Sequence, residues 1–309
     1  MKKLIYFFIP IFFLVFYGCD SNVMEPVADD SSYEADLEAA RIALDDGRYD
    51  KSINKLIGHY DFVEPDPEAA RILSSAYMGK GGVDLTYIIE LSGAEGQDSY
   101  DVIANALTLG TTSDMFPQQG SDAAALNAYA AASPGARFID QTRVAGMLDA
   151  IREAKQFLLD LSFYYRENNL SPENDDVVKM GMASAFDFIM KVSKAVMTIT
   201  GTNAPINKTA YAGVFPPGER DSLLLSLQTY LSDNPEMTQA LAEDLINVNT
   251  AIGVMIDAIG MDEDITEDLD QFLRDILGLA DYVMITEETI RVYLTSTQII
   301  QFIRGELIN

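Results

Sequence analysis

Apolar residues recur three and four positions apart from Tyr33 to the C-terminus, and extended alternation of β-branched with polar residues is nearly absent. This spacing collects the apolar side chains on one face of a helix. It predicts an all-α fold. After the first hundred residues the predicted helices are Tyr100 to Leu109, Ala123 to Ala132, Arg137 to Arg166, Glu173 to about Thr200, Leu223 to Leu231, Pro235 to Ile259, Glu267 to Leu279 and Glu287 to Ile303.

The predicted helix that ends near Thr200 is apolar on most sides but carries a polar stripe. The stripe consists of Lys179, Asp187, Lys191 and Lys194. These charges argue against a membrane span. They predict instead a central helix with one edge in solvent.

Residues 35 to about 91 contain an internal repeat with a period of 34 residues. The first copy has Ala40, Ala43, Gly47, Tyr49, Ser52, Ile53 and Leu56, and the second has Ser74, Tyr77, Gly81, Val83, Thr86, Tyr87 and Glu90. The small, glycine and aromatic positions resemble those of the tetratricopeptide (TPR) family. The resemblance implies helical hairpins with Gly47 and Gly81 at the turns, and Pro65 and Pro67 between units. Glu90 departs from the pattern, and a generic pair of helical hairpins is the alternative.

One long connection, Gly201 to Asp221, shows no helical periodicity. Long irregular segments in compact domains are usually functional or disordered. Tyr211 and Phe215 give this segment two large side chains for contact with a partner. We therefore name it a candidate binding loop, with an ordinary surface crossover as the alternative.

The N-terminus has the layout of an export signal. Lys2 and Lys3 precede fifteen uncharged residues that end at Gly18, a run too short to span a bilayer as a helix. The next residue, Cys19, is the only cysteine in the chain. Residues 16–19, Phe-Tyr-Gly-Cys, resemble the lipobox of bacterial lipoproteins, which implies cleavage after residue 18 and lipid attachment to Cys19. The alternative is an ordinary secreted protein with a cysteine near its cleavage site.

The residues that follow, 19–32, are polar and acidic and predict a flexible tether, after which residues 33–309 form the helical domain. The formal charge of the chain is −27, and loss of two lysines and no acid with residues 1–18 would make it −29. No basic stripe offsets this charge, so nucleic acid is excluded as a partner. We expect an exported protein, anchored by lipid to a bacterial membrane and facing the periplasm or the cell exterior.

Candidate catalytic residues are few. His59 is the only histidine, and its place near a helix end favours packing or capping over catalysis. The acidic run Asp262, Asp264, Asp268 and Asp270 lacks the glycine and the glutamate of a calcium loop, so it predicts a helix start. No phosphate-binding glycine loop is present. The sequence predicts no metal, no cofactor and no enzymatic activity.

A lipid-anchored chain with helical repeats resembles exported TPR scaffolds and, more faintly, the lipoprotein that accompanies TRAP-type transporters. That resemblance implies an envelope protein as partner and a hydrophobic small ligand. Two other functions stay open. One is an enzyme with an unrecognised carboxylate site, and the other is a structural envelope lipoprotein that assembles with itself.

Overall fold

The computed structural model describes residues 32–83, 100, 137–255 and 263–308. Within these ranges the chain forms α-helices and one pair of two-residue strands, which confirms the all-α prediction. The helices are α1 (Tyr33–Asp45), α2 (Tyr49–Leu56), α3 (Pro67–Lys80), α4 (Gln141–Glu167), α5 (Asn174–Thr200), α6 (Lys208–Val214), α7 (Arg220–Asp233), α8 (Pro235–Val254), α9 (Glu263–Leu277), α10 (Glu287–Tyr293) and α11 (Ser296–Phe302). A π-helical turn, Ile303–Leu307, follows α11.

The first hairpin turns at the glycine that the sequence predicts. Gly47 has φ +69°, its N–H donates to the Leu44 carbonyl, and the Arg48 N–H donates to the Ala43 carbonyl. This is the Schellman arrangement that ends many helices. At the next glycine turn the left-handed residue is Gly82, whereas Gly81 keeps an α-helical conformation.

Helix α3 begins as the sequence predicts, with Pro67 in its first turn. The Asp66 carboxylate caps it by accepting from the Glu68 and Ala69 N–H groups. α3 then packs along α4, although the two helices are far apart in the sequence. The second helix of the second predicted unit falls within residues 84–99, outside the described residues, so the repeat interpretation stays a prediction.

Helix α5 is central, as predicted, and packs against α4, α7 and α8. Its closest neighbour is α8, because Gly181 has no side chain and a Cβ there would collide with the Ala251 methyl group. Two apolar cores result. The larger surrounds α5, the smaller lies between the first three helices and α4, and α4 contributes to both through Ile151 in one and Phe157 in the other.

The segment from Gly201 to Asp221 is more regular than predicted. Ala204–Pro205 forms strand β2, which pairs antiparallel with strand β1, Phe138–Ile139. Helix α6 follows, and the Asn207 side chain caps it by accepting from the Ala210 N–H. The prediction of an irregular loop is wrong because a helix of seven residues is too short to show its periodicity.

The last predicted helix, Glu287 to Ile303, is also wrong as a single element. It is interrupted after Tyr293, where Leu294 and Thr295 take extended conformations. The Thr295 hydroxyl then caps α11 by accepting from the Gln298 N–H. The predicted helix Tyr100 to Leu109, apart from Tyr100 itself, and the helix Ala123 to Ala132 lie outside the described residues.

Candidate functional site

Tyr211 and Phe215, the two aromatic residues of the candidate binding loop, are fully buried. The Tyr211 hydroxyl lies 3.1 Å from the Ser193 hydroxyl of α5, and the Tyr100 ring packs edge-on against it. Burial raises the pKa of Tyr211 to about 12. Both rings are core residues and are not exposed for contact with a partner. A role of the segment in binding stays a prediction that does not rest on them.

A cluster of four charged side chains lies where α4, α5 and α8 meet. The Asp187 carboxylate accepts from Lys155 at 2.8 Å and from Lys191 at 2.9 Å. The Asp244 carboxylate accepts from the same two ammonium groups, at 2.6 Å from Lys191 and in a close contact with Lys155. Each carboxylate thus faces two cations, and each cation bridges two carboxylates. We call these residues the charge cluster.

Both carboxylates of the charge cluster are buried, Asp244 completely. Burial, together with repulsion by Asp187, raises the pKa of Asp244 to about 6, although both lysines oppose the shift. For Asp187 the two lysines outweigh burial and lower the pKa. Burial lowers the pKa of Lys155, but the two carboxylates outweigh it and raise that pKa above its ordinary value. With all four groups ionised, two carboxylates and two ammonium groups give the cluster no net formal charge.

The charge cluster corrects the predicted solvent-facing edge of α5. Lys194 is exposed as predicted, but Asp187 is buried against two other helices and Lys191 is partly covered. The sequence contained one signal of this arrangement, because Asp187 and Lys191 are four residues apart and share a helix face. Lys155 and Asp244 lie on other helices, and nothing in the local pattern connects them to α5.

The charge cluster has the chemistry of a structural junction. Asp244 accepts one lysine on each carboxylate oxygen, whereas Asp187 accepts both lysines on Oδ2, so the four side chains join α4, α5 and α8 at one point. No group of three or more metal-binding side chains occurs among the residues whose side chains the structure describes. Asp262 of the acidic run lies outside the described residues, and α9 begins directly after it at Glu263.

A second polar junction connects the two cores. Arg71 of α3 contacts the Asp176 carboxylate with its Nε at 3.1 Å from both oxygens, and Glu173 at 2.6 Å. The Tyr165 hydroxyl donates to the same Asp176 carboxylate at 3.0 Å. Asp176 and Tyr165 are buried, so this junction positions α3 against α4 and the start of α5.

His59 lies in a shallow cleft of about 560 Å³ between α1 and the end of α2. Its Nε2 atom is 3.1 Å from the Asp36 carboxylate, which also accepts from Lys55 at 2.7 Å. The hydrogen bond from Lys55 is the main cause that lowers the pKa of Asp36. His59 is half-exposed and lies just beyond the end of α2, in a surface ion-pair group.

Among the described residues, large apolar side chains are exposed singly at Ile42, Leu170 and Leu225 and as groups in two regions. The first is near the N-terminal hairpin and includes Phe62, Val63, Leu159 and Phe163. The second lies on α10 and the turn before it, where Tyr282 is 91% exposed, Met284 79%, Val292 64% and Tyr293 49%. We call this second region the 282–293 surface. The sequence pattern missed it because short helices give no reliable apolar face.

Comparison with protein-family models, with curated proteins and with solved structures finds no match to this chain. Cys19 and the predicted signal and tether, up to residue 31, lie outside the described residues. Within the part that the structure covers, none of the helices has the length and apolar character needed to cross a membrane.

Proposed function

We propose that the protein is a lipid-anchored helical scaffold of a bacterial envelope that holds a protein partner through exposed apolar side chains. The observation that carries this proposal is the 282–293 surface. Four large apolar side chains within twelve residues stand in solvent there, and no other stretch of that length among the described residues exposes as many. Concentrated apolar exposure of this kind marks interaction sites in soluble domains.

A lipid anchor and the 282–293 surface together would allow the protein to hold a partner near a membrane. Lipid attached at Cys19 would hold the domain at a bilayer, and the acidic tether would let it stand away from the headgroups. A partner in the same compartment could then be held close to the membrane. The partner of a TRAP-type transporter lipoprotein, a substrate-binding protein, is the candidate that the sequence resemblance supplies. A hydrophobic small ligand stays a prediction.

Site-specific photo-crosslinking in native membranes tests the proposal. A photoreactive phenylalanine at Tyr282 should crosslink to a second protein, because an exposed ring at an interface lies within reach of the partner. The matched control is the same group at Glu236, an exposed polar position in the first turn of α8. Equal products from both positions, or none from either, would contradict the proposal. A product with the mass of two copies of this chain would support self-assembly instead.

A further inference from the structure

The 282–293 surface is held on a fixed backbone. The Arg274 guanidinium donates to the carbonyls of Ala280 and Val283, each at 3.0 Å, and so secures the turn after α9. The Thr289 hydroxyl donates to the Met284 carbonyl at 3.3 Å, which ties this turn to α10. Beneath the surface Ile290 is fully buried. The backbone that carries the exposed side chains is therefore held in place, which reduces the backbone entropy that binding would cost.

The charges around the 282–293 surface are predominantly negative. Asp281, Glu287 and Glu288 are exposed on the same turn and helix, and Glu243 of α8 adjoins them through Arg291. Arg291 is a cation in this region, but it already pairs with Glu243 at 2.8 Å and Glu287 at 3.0 Å. Asp281 and Glu288 form no ion pair with any residue that the structure describes. Two carboxylates thus remain available beside the apolar side chains.

We propose that the 282–293 surface binds a cationic amphipathic segment of the partner protein. This inference rests on the proposed function and specifies the chemistry of its partner. An apolar face on the segment would cover Tyr282 and Val292, and flanking lysines or arginines would meet Asp281 and Glu288. The formal charge of −27 on the whole chain adds attraction for such a segment and repulsion for anionic headgroups.

The other exposed apolar region fits this role less well. The Phe62 ring stacks on Phe157 and packs edge-on against Tyr60, so it covers the smaller core of its own chain. The Phe163 ring already carries the Arg166 guanidinium at 4.6 Å from its centroid. At the 282–293 surface, by contrast, neither tyrosine makes a ring contact with a described residue.

A binding titration of the full lipidated chain, in detergent, tests the inference. The probe is a fluorescent helical peptide of about eighteen residues with leucine on one face and lysine on the other, and its counterpart has glutamate in place of lysine. We expect saturable binding of the lysine peptide and no binding of the glutamate peptide. The paired substitutions Tyr282→Ser with Val292→Ser should weaken binding at least about tenfold, since central apolar contacts dominate such interfaces.

Charge-reversal and control variants complete the design. Asp281→Lys with Glu288→Lys should weaken the lysine peptide to a similar extent and reduce the salt dependence of its binding. Ile42→Ser, at a half-exposed apolar position on α1, should leave binding unchanged. Equal binding of both peptides, or no effect of either paired variant, would overturn the inference. Vesicles of zwitterionic lipid, used in place of the peptide, give a further test. If the wild type associates with them more tightly than the Tyr282→Ser with Val292→Ser variant does, the inference is overturned.

The two proposals fail in different ways. Peptide binding without any crosslinked protein in native membranes would support the proposed binding chemistry of the 282–293 surface and contradict the scaffold function. A crosslinked partner without peptide binding would support the scaffold function and contradict the proposal that the partner's segment is cationic. Circular dichroism of every variant confirms the fold, and since all substituted side chains are exposed, we expect no loss of helix.

Discussion

At the residue scale, Asp187 and Asp244 show how position within one cluster decides the sign of a pKa shift. Both accept from Lys155 and Lys191, yet only Asp244 is fully buried, and its pKa rises while that of Asp187 falls. Removing a carboxylate from water disfavours its charge, and two nearby cations offset that cost to different degrees. The fold therefore favours the charged form of Asp187 and disfavours that of Asp244.

This difference predicts a pH dependence of stability. The folded-state pKa of Asp244, about 6, lies above the ordinary aspartate value of about 3.9. Between these values the folded state binds more protons than the unfolded state, so stability from this group rises as the pH falls. The free energy of unfolding of the wild type, relative to Asp244→Asn, should increase by about 1 kcal/mol between pH 7 and pH 5.

Urea unfolding of both proteins at the two pH values measures this difference. Asp187→Asn tests the coupling between the two carboxylates, because loss of the repulsion by Asp187 should lower the pKa of Asp244. As the pH falls from 7 to 5, the wild type should therefore gain stability relative to Asp187→Asn as well, but by less than it gains relative to Asp244→Asn. A wild type that loses stability relative to Asp244→Asn as the pH falls would show that the lysines, and not burial, control Asp244.

At the element scale, the turns depend on residues with a specific backbone conformation, and the starts of the helices depend on side-chain caps. Gly47 supplies the left-handed conformation after α1, and Asp66, Asn207 and Thr295 cap helices whose first N–H groups have no partner within the helix. These local choices decide where short elements begin. Thr295 is the clearest case, because its cap starts a new helix where the apolar spacing alone predicts continuity.

Two glycine substitutions should change stability in opposite directions. Gly47→Ala should destabilise the protein by about 1 kcal/mol, because an alanine at φ +69° is strained although no atom lies within 4 Å of its Cβ. Gly146→Ala, at an exposed and uncrowded position within α4, should stabilise it by about 0.5–1 kcal/mol. Thermal unfolding of both variants gives the comparison. A Gly47→Ala variant as stable as the wild type would remove the left-handed turn as the reason for this glycine.

At the scale of the whole molecule, α4 joins two cores and the charged junctions fix their neighbours. The Arg71 junction positions α3 against α4 and α5, and the charge cluster positions α4 against α5 and α8. Each junction adds directional contacts to the apolar packing, because its hydrogen-bonded ion pairs form only when the helices lie in one register.

Attachment to a membrane belongs to the same scale. Under the proposed lipid anchor, Cys19→Ser should release the protein from the membrane fraction, because none of the described helices is long and apolar enough to span a bilayer in its place. Fractionation after a high-salt wash, with detection of the full chain, measures the effect. Ser21→Ala, two residues further along, is the control and should remain attached. A Cys19→Ser protein that still sediments with membranes would exclude the lipid anchor.

The helical class and most of the long helices could be predicted from sequence, because apolar spacing over fifteen or more residues is a strong local signal. The central position of α5 followed from apolar residues on most of its sides. The turn at Gly47 and the starts at Pro67 and Pro235 also followed, since glycine and proline act through their own backbone. The signal peptide, the lipid anchor and the repeat family remain predictions.

Tertiary structure alone decided the sites. Tyr211 and Phe215 have the composition of a contact surface, yet the structure buries both rings in the larger core, and no local pattern around them specifies that direction. Lys155 and Asp244 are 89 residues apart, so no local pattern could pair them. The exposure of Tyr282 likewise depends on how the surrounding elements are arranged in space. Local spacing determines which side chains share a face, but the arrangement of the helices determines whether that face meets protein or solvent.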